Sequence, residues 1–206
     1  MIRNLKALGV AVMAVLALGA VAAGSASAEF HSEVAHTTFS GAQEGTHTFT
    51  TDPGTVHCKK ATFSGTSEKA TTNDVTVTFK YEECTLTSIF GNIAVTVSPN
   101  ECVYTFTTDG IVHVNCPAGK NIVVSGPGCT INVNAGQTLT GNTYTNIGTG
   151  TTREVLVHTA AHSIAYSYSG FTCGSGSGTA NGTYNGTTKI TGTDTNGNHV
   201  GIWHQI

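Results

Sequence analysis

Short segments in which apolar and polar residues alternate recur along this 206-residue chain from Glu29 onward. Gly, Pro, Asn and Asp separate them, and apolar residues at helical spacing are not found. A period of two turns one face of a strand inward, and regularly spaced turn signals favour an antiparallel sandwich. The predicted strands are 34–40, 46–50, 55–64, 75–81, 93–98, 102–107, 111–116, 122–125, 129–133, 153–159, 163–169, 179–184, 188–193 and 199–203.

The composition agrees with an all-β fold that has a neutral exterior. The chain contains 36 threonines, and only 10% of its residues are charged, where soluble domains average about 25%. Threonine is β-branched and suits strands. The formal net charge of -3 provides no basic patch, so we expect no nucleic-acid partner.

The N-terminus has the layout of a secretory signal peptide. Arg3 and Lys6 precede an apolar and glycine-rich run over 7–24, and the small residues Ala26 and Ala28 occupy the positions that a signal peptidase reads. We expect cleavage after Ala28, which would leave residues 29–206 with a charge of −5. The alternative is a retained anchor, because about 18 apolar residues approach the length of a membrane span. Cleavage predicts a secreted chain with no stable membrane insertion.

Six cysteines follow the leader, and an even number in an exported chain indicates a disulfide framework. One pairing follows from the sequence, because 108–110 (Thr-Asp-Gly) suits a three-residue hairpin turn. Counting outward from that turn sets Phe106 opposite Val112 and Cys102 opposite Cys116. The apolar residues then share one face, as strand register requires.

The other two pairings rest on a sequence pattern that occurs twice in the chain. Two alternating segments, 75–81 and 164–168, each lead into a cysteine and each follow an upstream cysteine in its own strand. This favours the pairs Cys58–Cys84 and Cys129–Cys173. Metal-binding spacings such as Cys-x-x-Cys do not occur.

The expected organisation is one disulfide-stapled, two-sheet sandwich over residues 29–206, of jelly-roll or immunoglobulin-like type. About 180 residues suffice for a single core. The alternative is two β lobes divided near 98–101, which the repeated cysteine pattern suggests. The glycine- and serine-rich run 174–178 is the nearest thing to a linker.

Histidines are the most tempting candidates for chemistry. His31 and His36 lie near Glu33, and His158 and His162 are four residues apart. In a strand, residues four apart are about 13 Å from each other, too far to share a metal ion. We therefore predict structural or surface histidines, no metal site and no cofactor.

Other catalytic patterns are weak. Glu82 and Glu83 are adjacent, so in a strand their side chains would point to opposite faces, and a solvated strand end is the preferred interpretation. The segment 194–198 resembles the start of a calcium loop, but an Asn-Gly hairpin turn explains it better. The Gly-x-Ser-x-Gly pattern of serine hydrolases is absent.

Three aromatic residues outside the strongest core strands are candidates for a carbohydrate platform: Tyr144, Tyr184 and Trp203. This hypothesis predicts that they are exposed together and that a cell-surface or environmental polysaccharide is the partner.

The run 100–106 (Asn-Glu-Cys-Val-Tyr-Thr-Phe), followed by 116–119 (Cys-Pro-Ala-Gly) and 144–148 (Tyr-Thr-Asn-Ile-Gly), resembles a group of uncharacterised secreted, cysteine-paired, β-rich proteins of high-GC Gram-positive bacteria. The resemblance implies export and paired cysteines, and it implies no activity and no site residues.

Taken together, these patterns predict a secreted extracellular protein with a structural or binding role and no catalytic activity. A carbohydrate-binding or adhesion module is the alternative. A small secreted hydrolase is the third hypothesis, and it requires a cleft where a histidine meets a carboxylate.

Overall fold

A computed structural model of the chain describes residues 27–206, so the predicted leader lies outside the described residues except for its last two positions. One 3₁₀ turn covers Gly150–Thr152, and no helix in the described part is long and apolar enough to cross a membrane. The strands are β1 (Glu29–Ser32), β2 (Thr37–Gln43), β3 (His47–Thr51), β4 (Gly54–Ser67), β5 (Thr71–Thr72), β6 (Asp74–Ser88), β7 (Gly91–Ser98), β8 (Val103–Thr107), β9 (Val112–Asn115), β10 (Ile122–Gly126), β11 (Cys129–Val133), β12 (Gln137–Leu139), β13 (Asn142–Ile147), β14 (Glu154–Gly170), β15 (Gly174–Thr193), β16 (His199–Val200) and β17 (Ile202–Gln205).

The strands form two antiparallel sheets, which confirms the predicted all-β, sandwich-like class. The large sheet has the order β12-β9-β8-β6-β7-β10-β11-β14-β15-β2-β4-β3, with β13 added to β14 and β16 added to β15. Additional pairing of β4 with β6 and of β3 with β15 curls this sheet back on itself. Opposite walls therefore face each other across a shared apolar interior. Strands on both sides of 98–101 pair within this one sheet.

Alternation places the apolar side chains inward, as in β6, where Val77 and Phe79 are buried and Thr76 and Thr78 are exposed. Full burial of one such side chain contributes about 1.5–3 kcal/mol. The inward residues group into three hydrophobic clusters. These clusters include Leu86, Ile131 and Tyr166; Ala61, Phe79 and Val114; and Phe39, Val155 and Ile202.

The long strands bend where the alternation breaks. In β4 both Lys59 and Lys60 are exposed, and in β6 neither Glu82 nor Glu83 is buried, since Glu83 adopts a φ of 53°. β14 bends in the same way at its residues 162–163, where the pairing register with β15 shifts. Each bend keeps the apolar face inward on both halves of its strand. Glu82 and Glu83 therefore lie in mid-strand on the outer surface, which corrects the predicted strand end and opposite faces.

The two ends of the molecule differ. At the end called here the small-sheet end, the sheet of β17, β1 and β5 packs on the large sheet, where the Phe30 ring meets the Tyr144 ring edge-on at 5.0 Å. At the opposite end, called the turn end, lie the turns 51–54, 88–91, 126–129 and 170–174. Contacts join these turns: Gly54 lies against the Thr87 carbonyl, the Asp52 N–H donates to the Tyr166 hydroxyl, and the Phe171 ring packs on Gly128.

All three predicted disulfides are confirmed: Cys58–Cys84, Cys102–Cys116 and Cys129–Cys173. The predicted hairpin register is also confirmed, because Tyr104 pairs with Val114 and Phe106 with Val112 across β8 and β9. Three disulfides fit folding in an oxidising compartment.

The suggestion of a linker at 174–178 is wrong, because this run begins β15 and pairs with β14. Its glycines are required by packing. A Cβ atom on Gly178 would lie 2.1 Å from the Tyr166 ring, and one on Gly176 would lie 2.7 Å from the Tyr168 hydroxyl. Two predicted strands, 153–159 and 163–169, are halves of β14, and the short strands β1, β5, β12 and β13 were not predicted.

Candidate functional site

The interior of the large sheet contains a partly open cavity of about 180 Å³ whose walls are almost entirely apolar. Several inward side chains are only half-buried, including Tyr81, Tyr104, Phe106, Val157 and Ile190. Because these side chains line the cavity, we assign their remaining accessible surface to it and not to the exterior. The opposing walls thus leave a space between them that their side chains do not fill.

A chain of polar side chains enters this apolar space. His47 Nδ1 lies 2.6 Å from the Tyr184 hydroxyl, and the Tyr184 hydroxyl lies 2.9 Å from that of Tyr81. On its other side His47 Nε2 is 2.9 Å from the carbonyl oxygen of Thr187. The residues come from three strands, β3, β6 and β15, so the chain of hydrogen bonds joins strands that are distant in sequence.

The direction of these hydrogen bonds follows from the Thr187 carbonyl, which can only accept. His47 Nε2 therefore carries the proton and Nδ1 accepts from the Tyr184 hydroxyl. Tyr184 in turn accepts from the Tyr81 O–H. The Tyr104 hydroxyl lies beside the Tyr81 oxygen and contributes a hydrogen bond to it. The second lone pair of the Tyr81 oxygen can accept a hydrogen bond from a molecule in the cavity.

Burial sets the protonation states of the chain. It lowers the pKa of His47, against the smaller raising effect of the hydrogen bond to Thr187. Burial, with a smaller contribution from Tyr184, raises the pKa of Tyr81 well above its ordinary value. The pKa values of Tyr104 and Tyr184 are raised in the same direction, again mainly by burial. At neutral pH the side chains of His47, Tyr81 and Tyr184 are therefore uncharged, as an apolar cavity requires.

A glycine makes room for the imidazole. A Cβ atom on Gly186 would lie 2.8 Å from three atoms of the His47 ring, so any side chain at this position would displace the ring.

Two other polar groups of the cavity wall are already satisfied: the Thr159 hydroxyl donates to Asn142 Oδ1 at 2.7 Å, and Asn142 Nδ2 donates to the Gly110 carbonyl at 3.0 Å. The Tyr–His chain is one polar feature of the cavity wall with hydrogen-bonding capacity to spare, and the buried Nε2 of His31, which has no hydrogen-bond partner, is another.

The three candidate platform aromatics are half-buried, and all three are among the residues that line the cavity. Tyr184 belongs to the Tyr–His chain. Tyr144 lies at the small-sheet end, where its hydroxyl donates to the Thr107 carbonyl at 2.8 Å. Trp203 stacks on His31 with ring centroids 5.1 Å apart and also lies under the Arg153 guanidinium.

The histidines singled out from the sequence lie apart from one another. His36 is exposed and hydrogen-bonds to Glu68 at 2.7 Å, His158 hydrogen-bonds to the Thr187 hydroxyl at 3.0 Å, and His162 is exposed. Within residues 27–206, no group of three or more His, Cys, Asp or Glu side chains is arranged to hold a metal ion.

Sequence reasoning missed His47, although a usable signal existed. In the predicted strand 46–50, His47 and Phe49 share a face, and the aromatic residue marks that face as the inner one. His47 was therefore assignable to the interior. Its two partners lie 137 and 140 residues away along the chain, and no local pattern identifies them.

Fold and site together define an all-β, disulfide-stapled protein with an apolar interior cavity and a buried Tyr–His chain. Comparison with protein-family models, with curated proteins and with solved structures finds no match for this chain.

Proposed function

We propose that this protein is a secreted, non-catalytic binding protein that takes up a small, mostly apolar molecule in its interior cavity. The leader pattern and the three disulfides support export. The observation that carries the proposal is the cavity itself, since close-packed interiors contain few voids larger than a water molecule. A cavity of about 180 Å³ is comparable to an engineered apolar cavity of about 150 Å³ that binds benzene.

The polar chain favours a ligand with one hydroxyl group. The apolar wall accommodates the body of such a molecule, and the Tyr81 oxygen accepts a hydrogen bond from its hydroxyl. A hydroxyl placed elsewhere against the apolar wall would lose its hydrogen bonds to water without replacement, which costs about 1–3 kcal/mol. The Tyr–His chain therefore orients the ligand in the cavity as well as selecting it.

The test uses two molecules of similar size, 4-ethylphenol and ethylbenzene, and measures thermal unfolding with and without each. A ligand at ten times its Kd stabilises the folded state by about 1.4 kcal/mol, which corresponds to a Tm increase of about 3–6 °C for a protein of this size. We expect both molecules to raise the Tm and the phenol to bind more tightly. The proposal fails if neither shifts the Tm at millimolar concentration.

Two variants locate the binding. Val157→Phe places a ring in the cavity, so it should abolish the response to both molecules. Tyr81→Phe removes the accepting oxygen but keeps the ring, so it should leave ethylbenzene binding intact and remove the preference for the phenol. His162→Gln, an exposed change, serves as the matched control and should respond like the unmodified protein.

The other two hypotheses have less support. A polysaccharide site would use exposed aromatic faces, whereas the three candidate rings are half-buried and line the interior cavity. A hydrolase would need a histidine and a carboxylate within hydrogen-bond reach in a cleft. The His36–Glu68 contact is exposed, with 62% and 78% of the two side chains accessible. The less exposed contacts His31–Glu29 and His199–Glu154 are longer, at 3.4 and 3.8 Å. A glycan array that retained the protein would favour the polysaccharide alternative over the cavity proposal.

A further inference from the structure

The turn end displays the large apolar side chains that are most exposed in the described part of the chain outside the C-terminal residue. Ile89 is 94% and Phe90 is 64% exposed in the turn between β6 and β7, and Phe171 is 87% exposed in the turn between β14 and β15. These side chains project from two separate turns at the same end. Large apolar residues grouped at one end of a protein mark an interaction site.

The turn end also has almost no charge. The four turns 51–54, 88–91, 126–129 and 170–174 contain one charged residue, Asp52, whose carboxylate accepts a hydrogen bond from Asn181 at 2.7 Å. No lysine or arginine occurs in any of these turns, and the described residues together carry an excess of acidic groups. A surface with these properties has no electrostatic attraction to anionic lipid or to an acidic partner.

Three backbone N–H groups of the turns that carry the exposed apolar side chains have partners within the protein. The Phe90 N–H donates to the Ser88 hydroxyl at 3.2 Å, the Thr172 N–H to the Gly128 carbonyl at 3.1 Å, and the Cys173 N–H to the Gly170 carbonyl at 3.3 Å. Groups with such partners enter a medium of low polarity at little cost, whereas unpaired groups do not. The disulfide between Cys129 and Cys173 fixes the turn that carries Phe171.

From these three properties we propose that the turn end docks peripherally on an uncharged, zwitterionic lipid surface, with Ile89, Phe90 and Phe171 entering the headgroup region. The apolar side chains supply the attraction, the internal hydrogen bonds of the turns lower the cost of leaving water, and the absence of basic residues sets the preference for neutral lipid. This inference is independent of the cavity, because none of the three side chains lines it.

The test is flotation of the purified protein with phosphatidylcholine vesicles, with and without phosphatidylglycerol. The double variant Phe90→Ser/Phe171→Ser removes two tips, and each phenylalanine withdrawn from the lipid should weaken partitioning about tenfold, since one tenfold step corresponds to about 1.4 kcal/mol. Ile206→Ser is the matched control, because Ile206 is 87% exposed but adjoins β17 at the small-sheet end. All proteins share the same N-terminus, so differences between them report the turns.

The proposal predicts that the unmodified protein and Ile206→Ser float with neutral vesicles in low and high salt, and that the double variant remains in solution while keeping the Tm of the unmodified protein. It is overturned if the unmodified protein does not float, if the double variant floats equally well, or if binding requires anionic lipid and is abolished by salt. Self-association that the double variant abolishes, without flotation of the unmodified protein, would instead assign the tips to contact between two copies.

Discussion

Replacing Gly178 with alanine tests the packing at the start of β15. In a flexible linker the change would be neutral or slightly stabilising, because alanine restricts the unfolded chain. In the strand, the new Cβ atom would lie 2.1 Å from one Tyr166 ring atom and 2.3 Å from Asn181 Oδ1. The two interpretations therefore predict effects of opposite sign.

The magnitude depends on how far Tyr166 can move. Its side chain is 1% exposed within the first hydrophobic cluster, and its hydroxyl accepts the Asp52 N–H at 2.6 Å, so the ring is held at both ends. Overpacking of such a site costs about 1–3 kcal/mol or more, against a gain of about 0.5–1 kcal/mol for alanine over glycine in a strand. We expect a net loss of about 1–2 kcal/mol and a Tm lowered by about 2–8 °C.

Thermal and guanidinium unfolding under non-reducing conditions measure this loss. Ser177→Ala, an outward position in the same run, is the control and should change stability by less than about 0.5 kcal/mol. Gly176→Ala should fall between the two, because its closest neighbour is the tip of the Tyr168 side chain. Unchanged stability of the Gly178 variant would refute the packing argument.

Three further predictions concern the framework and the buried chain. Replacing both Cys58 and Cys84 with alanine should lower the free energy of unfolding by about 3–4 kcal/mol in denaturant titrations, given their separation of 26 residues; a loss below about 1 kcal/mol would contradict this. Because burial lowers the pKa of His47, the unfolded state takes up a proton before the folded state does, so stability should fall as the pH falls below about 6.5 and level off once the folded protein is protonated too. His47→Gln should flatten that part of the profile, whereas the exposed control His162→Gln should keep it. Tyr184→Phe leaves His47 Nδ1 without its donor and should cost about 1–3 kcal/mol in thermal unfolding; an equally stable variant would show that the hydrogen bond is not needed.

The sequence was sufficient to predict strand register and disulfides wherever local rules determine the structure. The hairpin of β8 and β9 was predicted to the residue, because the turn at 108–110, the alternation and the cysteines at 102 and 116 all specify one register. The remaining disulfides followed from the position of each cysteine beside an alternating strand. In these places, local preference and tertiary packing agree.

Prediction from the sequence failed where contacts between residues far apart along the chain determine the structure. The run 174–178 has the composition of a linker, and only the rings of Tyr166 and Tyr168 on the neighbouring strand explain why its glycines are in a strand. The cavity likewise cannot be predicted from any local stretch of sequence, because its volume depends on the distance between opposite walls of the sheet. His47 could be placed in the interior, but its hydrogen bonds to Tyr184 and Thr187 could not be foreseen.

The bends in the long strands connect the low charge of the chain to both proposals. A straight strand of 14 residues would extend about 46 Å, and the apolar face of each half could not border the same interior. The break at Lys59 and Lys60 in β4, matched by Glu82 and Glu83 in β6, lets both halves face inward. Charges are placed there because both residues of each break point to solvent, and Lys60 pairs with Glu82 at 2.9 Å. Four charged side chains are thus placed at mid-molecule, whereas the cavity wall contains no Asp, Glu, Lys or Arg and the four turns of the turn end contain no basic residue.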